Sequence, residues 1–174
     1  MGISQTLVIG GIRSGKTALA ERLATESGDA VVYVATATVG DEEMAQRVKR
    51  HVDSRPARWG LAEEPLRLAS VLKTYEGERL PPFLLVDCMS LWVSNLLFAG
   101  GETFGQEREA FLEALRNYPG SVAIVSNEVG LGTIGMDPLT RRFCDELGWL
   151  NQAIAATCDR VVMSVAGQPL WLKG

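Results

Sequence analysis

Eight residues near the start constrain this chain more than any others: Gly10-Gly11-Ile12-Arg13-Ser14-Gly15-Lys16-Thr17, a full match to G-x-x-x-x-G-K-[ST]. They follow the apolar run Thr6–Gly10 and open directly into helix-period sequence, so the motif occupies a strand-to-helix turn, as a phosphate-binding loop requires. The glycines let backbone N–H groups turn inward around phosphate oxygens, and the helix start adds positive potential. Lys16 then reaches the terminal phosphates and Thr17 offers a hydroxyl to Mg²⁺. A chain that begins this way is expected to build an α/β sheet protein.

The rest of the sequence agrees with that expectation. Short apolar runs at Thr6–Gly10, Ala30–Thr36, Phe83–Asp87, Ser121–Ser126 and Arg160–Val165 read as buried strands, and Pro169–Leu172 as a shorter sixth. Helix-period stretches lie between them at Lys16–Ser27, Asp41–Val52, Pro65–Tyr75, Leu91–Phe98, Gln106–Asn117 and Pro138–Thr157. Such alternation predicts repeated βαβ units: a mostly parallel sheet with helices on both faces, in one domain over residues 1–174. The segments Val39–Gly40, Asp53–Glu64, Gly100–Gly105 and Gly130–Asp137 read as polar loops.

A phosphate loop also needs a carboxylate for the metal, usually at the end of a neighbouring apolar strand. Phe83-Leu84-Leu85-Val86-Asp87 supplies one, with a cap for the helix that follows as the lesser alternative for Asp87. Asn127-Glu128 ends the next strand in the same way, with the same choice between facing the crevice and capping a turn. The single histidine, His51, ends the helix that carries Arg47 one turn earlier. By itself that position suits a surface cation near a helix C-terminus, but Arg55 nearby also permits a second phosphate cradle with the imidazole as nucleophile. Arg141 and Arg142 are either phosphate contacts or a solvated helix face.

Composition narrows the function classes. Seventeen Lys+Arg against 21 Asp+Glu give a net charge of −4, so no general positive field draws in a nucleic acid. Three cysteines without a C-x-x-C pair support neither a disulfide framework nor a zinc knuckle, and point to a reducing cytoplasm. The uncharged stretch from Cys88 to Gly101 is too short to span a membrane, and no signal peptide is expected; the match of Met1–Thr6 to a myristoylation pattern runs straight into a strand and reads as chance. Nor does the chain contain the Asn-Lys-x-Asp element by which signalling GTPases read guanine.

Taken together, these segments resemble the bifunctional adenosylcobinamide kinase/adenosylcobinamide-phosphate guanylyltransferase family nearly end to end. Its carriers are the loop at 10–17, Tyr-Val-Ala-Thr at 33–36, Asp41 to Met44 leading to Arg-Val-Lys-Arg-His at 47–51, and Arg55-Pro56 with Trp59 and Glu63-Glu64-Pro65. Leu85–Leu97, Ser-Asn-Glu-Val-Gly-Leu-Gly at 126–132, Arg-Arg-Phe at 141–143, and Gly148 with Asn151-Gln152 complete it. The loop is common to many families, whereas the His–Arg-Pro–Trp and Asn-Glu-Val-Gly blocks are far more specific.

The resemblance implies a RecA-like sheet, a homotrimer and two reactions. Adenosylcobinamide is phosphorylated from ATP or GTP, and GMP then passes from GTP through a guanylylated histidine, matched by His51, to adenosylcobinamide phosphate. It further implies nucleotide contacts from Gly10 to Thr17, from Ala35, Thr36 and Ala37, from Val52, Asp53, Ser54 and Arg55, and from Glu63 and Asp87, with Mg²⁺ held by Thr17 and Asp87. The chain departs from the family after Gly132, where it reads Thr-Ile-Gly-Met-Asp-Pro instead of a Val-Pro turn, and at Cys144, where Arg is common. Two other readings remain at this point: a simple small-molecule kinase with no covalent intermediate, and a nucleotide-dependent switch or assembly ATPase.

Overall fold

A computed structural model describes residues 2–38 and 56–174. Strands are β1 (Gln5–Gly10), β2 (Val31–Ala35), β3 (Gly60–Glu63), β4 (Phe83–Asp87), β5 (Val122–Asn127), β6 (Arg160–Val165) and β7 (Gln168–Lys173). Helices are α1 (Lys16–Ser27), α2 (Leu68–Glu76), α3 (Met89–Ala99), α4 (Gly101–Asn117) and α5 (Pro138–Thr157). All seven strands join one sheet in the order β3-β2-β4-β5-β1-β6-β7. Every pairing is parallel except β6 with β7. This is the mostly parallel, RecA-like P-loop architecture, with β5 standing between the strand of the phosphate loop and the strand of Asp87.

Side chains alternate across each strand, so one apolar run feeds two cores. Leu7, Val32, Val34, Leu84, Val86, Val122, Ile124 and Val161 meet α2, α3, α4 and α5 on one face. Their neighbours Val8, Val31, Tyr33, Phe83, Leu85, Ala123, Val125 and Val162 meet Leu19, Ala20 and Ala24 of α1 on the other. On the four-helix face Trp92 is fully buried, its ring 5.1 Å from that of Phe111, and its Nε1–H donates to the Leu66 carbonyl at 2.7 Å. Phe104 is buried in the same cluster, whereas Phe98 is exposed.

The predicted strands and helices are present with bounds shifted by at most three residues at most ends, except for the helix at 41–52, which lies outside the described residues. Two expectations are corrected. The segment read as a polar loop over Asp53–Glu64 contains β3, a four-residue strand that pairs with β2 and, among the described residues, ends the sheet. Gly100–Gly105 is not a loop: Gly100 precedes α4, whose first turn starts at Gly101 because buried Phe104 anchors it to the core. Among the described residues no helix is long and apolar enough to cross a membrane.

Candidate active site

Gly10 to Thr17 wrap from the end of β1 into α1. Gly15, directly before the helix, has φ +89°, a left-handed conformation that favours glycine. A Cβ at Gly10 would collide with the Ser14 hydroxyl and lie 2.7 Å from the Ser164 carbonyl oxygen, so this residue must also lack a side chain. Among the described residues no side chain caps α1, and its first turn carries no acid, an arrangement that suits an anion at the helix start. The loop is braced from the β6–β7 turn: the Ser164 hydroxyl and the Gly167 N–H both donate to the Ser14 carbonyl, each at 2.8 Å. On the other side Glu128 N–H donates to the Gly10 carbonyl at 2.9 Å. Ile12 and Arg13 stand exposed at the tip, with Arg13 itself at φ +50°.

Lys16 folds its ammonium back onto the Gly11 carbonyl at 3.0 Å. Burial lowers its pKa from 10.5, and the Asp87 carboxylate opposes that shift. Thr17 donates its hydroxyl to Asp87 Oδ2 at 3.4 Å, and Tyr33 donates to the same oxygen at 2.5 Å. Asp87 therefore turns toward the loop, and the helix-capping alternative fails: α3 begins after Cys88 with no side-chain cap. Burial, reinforced by Asp87, raises the Cys88 thiol to about 11, so at neutral pH it is a protonated thiol and not a nucleophile.

Because the strands are parallel, their carboxyl ends line one edge. The registers set Gly10 beside Asn127, Val125 beside Asp87, Asp87 beside Ala35, and Ala35 beside Glu63. This is the edge at which open α/β sheets take ligands. Thr36 is fully buried, and its hydroxyl donates to the Cys88 carbonyl and accepts from the Cys88 N–H at 2.8 and 2.9 Å, while Asn95 donates to the Thr36 carbonyl at 2.8 Å. The strap after β2 is thereby tied to the strap after β4, with Ala37 half-buried beside it and Glu63 exposed at the sheet edge.

Other sequence candidates divide. Glu128 caps its own turn by accepting from Gly130 N–H at 2.5 Å; the Asn127 backbone carbonyl accepts from Asn151 Nδ2 at 3.1 Å, and Asn127 itself stands half-buried at the carboxyl end of β5. Arg141 and Arg142 lie exposed on α5. His51, Val52, Asp53, Ser54 and Arg55 lie outside the described residues. Two residues that sequence reasoning gave no role stand close to the loop: Tyr33, hidden in an apolar strand, and Ser164, whose signal was only a hydroxyl inside a Val-rich run.

With this geometry in place, residues 6–172 match the family model described as cobinamide kinase / cobinamide phosphate guanyltransferase. The chain belongs to that family. It is 52% identical over 170 residues to the bifunctional adenosylcobalamin biosynthesis protein CobP of Pseudomonas aeruginosa, covering 97% of this chain and 96% of that one. It is 38% identical to the CobU protein of Salmonella typhimurium and 33% to that of Escherichia coli, in each case over 96% of this chain and 98% of the relative. Membership makes the chain an enzyme of cobalamin biosynthesis that uses nucleotides, a cobinamide kinase and cobinamide-phosphate guanylyltransferase, and sets aside the assembly ATPase reading.

Proposed function

We infer that both half-reactions run at the carboxyl edge around the loop, in a single domain over residues 1–174. In the first, the side-chain hydroxyl of adenosylcobinamide attacks the γ-phosphorus of ATP or GTP; a P–O bond forms, the β–γ bridge breaks, and the nucleoside diphosphate leaves as the hydroxyl loses its proton. In the second, a ring nitrogen of His51 attacks the α-phosphorus of GTP and pyrophosphate departs. A phosphate oxygen of adenosylcobinamide phosphate then attacks the same phosphorus, giving adenosylcobinamide-GDP and freeing the imidazole. A neutral imidazole suits this role because its ordinary pKa near 6.5 leaves a lone pair available.

The observation that carries the reading is the meeting of Lys16, Thr17 and Asp87 beside an uncapped helix start. Gly10 to Thr17 would receive the phosphates, with Ala35, Thr36, Ala37, Glu63 and Val52 to Arg55 lining the rest of the nucleotide. Thr17 and Asp87 offer hard oxygen donors of the kind Mg²⁺ takes together with substrate phosphates. When bound there, Mg²⁺ would offset charge on the leaving phosphates. A homotrimer in the cytoplasm completes the proposal, by resemblance to the family.

The test uses the intact protein, Mg²⁺ and GTP labelled at the α-phosphate. Label that survives denaturation and alkali, is lost in acid, and is absent from His51→Ala supports the covalent step. Bound GTP with no covalent label overturns it and leaves a kinase without a histidine intermediate.

A further inference from the structure

The β2 and β4 strands set Tyr33 directly opposite Leu85, so Asp87 is its diagonal neighbour on the same face of the sheet. The Tyr33 ring is buried, 3% exposed, among Val31, Phe83, Leu85 and α1, and its hydroxyl reaches Asp87 Oδ2 at 2.5 Å. Thr17 donates to that same oxygen from the first turn of α1. A carboxylate turns easily about its terminal torsion, which has broad, roughly two-fold wells. Two hydroxyl donors on one oxygen, one of them carried by a rigid core residue, remove that freedom.

We propose that Tyr33 is a positioning residue for the reaction: its phenol holds the Asp87 carboxylate so that Oδ2 stays with Thr17 and Oδ1 is left for the divalent cation that accompanies the nucleotide. Phenylalanine would fill the same apolar space; the hydroxyl is what the carboxylate needs. The inference rests on the reading of Thr17 and Asp87 as the cation's oxygen ligands. It gives the core strand β2 a part in the chemistry although Tyr33 itself touches no phosphate.

The deciding experiment measures Mn²⁺ binding by electron paramagnetic resonance to the whole protein with the α,β-methylene analogue of GTP, which resists cleavage at the α-phosphate. Wild type, Tyr33→Phe and Asp87→Asn are compared, with metal-free binding of the analogue and thermal unfolding as tests that each variant is folded. In Tyr33→Phe, Mn²⁺ affinity is expected to fall about tenfold, the scale of a lost hydrogen bond to a charged group. In turnover, the Mg²⁺ concentration for half-maximal rate rises by a similar factor, more than the rate at saturating Mg²⁺ falls. Weakened Mn²⁺ binding in Asp87→Asn but wild-type binding in a folded Tyr33→Phe overturns the role of Tyr33 alone. Unchanged binding in both overturns the reading of Asp87 as a ligand, and the proposal with it. Should Tyr33→Phe fail to fold, Thr17→Val removes the other donor to Oδ2, and unchanged Mn²⁺ affinity there overturns the shared-oxygen arrangement.

Discussion

Four helices cover one face of the sheet, and among the described residues one helix covers the other; the candidate chemistry gathers on the thinner side. The crowded face is apolar almost throughout, with Trp92, Phe111, Leu84, Met89 and Leu147 all fully buried. The α1 face carries the same kind of apolar floor, but toward the carboxyl ends of its strands it turns polar, with Tyr33, Asp87 and Ser164 all hydrogen-bonded at or beside the loop. Alternation along the strand makes this division possible: Val86 anchors the core while the next residue, Asp87, faces the loop. One face supplies the rigidity that the other uses to hold polar groups in register.

The largest effect is expected on the crowded face. Trp92→Ala removes a buried ring, its contact with Phe111 and its hydrogen bond to Leu66, and should cost about 3–5 kcal/mol of stability. Urea unfolding measures that loss, while GTP affinity of the folded variant at low temperature stays near wild type. A small stability loss, or a folded variant that no longer binds GTP, would mean the two faces are not separable in this way.

Lys16→Met should behave in the opposite manner. Lys16 is partly buried, and burial lowers its pKa, so an uncharged side chain of similar length costs the fold little. Losing the charge where phosphate charge develops should slow pyrophosphate release from GTP by about 10²–10³-fold. Steady-state pyrophosphate assays give the rate, and circular dichroism melts show whether the melting temperature holds. A melt that collapses along with the rate would place Lys16 among the structural residues.

How far these faces could be read from sequence depended on whether the signal was local. The bounds of α1, β4, α5 and β6 follow from runs that carry their own punctuation: the Gly15-Lys16 turn, Pro82 before Phe83, Asp137-Pro138, and Asp159 before Arg160. The strand Gly60-Leu61-Ala62-Glu63 has no apolar run of its own and owes its conformation to β2, a tertiary partner that periodicity does not see. Gly100, Gly101 and Gly105 carry a loop signal that the burial of Phe104 overrides. In the site, the loop and Asp87 were legible because motif and strand end coincide. Tyr33 and Ser164 were not, because each became polar machinery only through strand register, and register is set by the whole sheet.

Ser164 has a counterpart that makes the smallest effect the most discriminating. Ser126 and Ser164 are both buried hydroxyls next to the carboxyl end of a strand, on opposite faces. Ser126 donates to Asn151 Oδ1 of α5 at 2.5 Å, on the crowded side; Ser164 donates to the Ser14 carbonyl of the loop at 2.8 Å. Each bond should be worth about 1 kcal/mol, so both alanine variants lose comparable stability in urea. Only Ser164→Ala is expected to weaken GTP binding, by about fivefold, because Ser14 keeps the single donor Gly167 and the loop loses part of its brace. Isothermal titration of both variants with GTP decides the matter. Equal affinities would reduce the β6–β7 brace to a structural contact, whereas a loss confined to Ser164→Ala would show that the same hydroxyl, one face over, serves the phosphate site instead of the core.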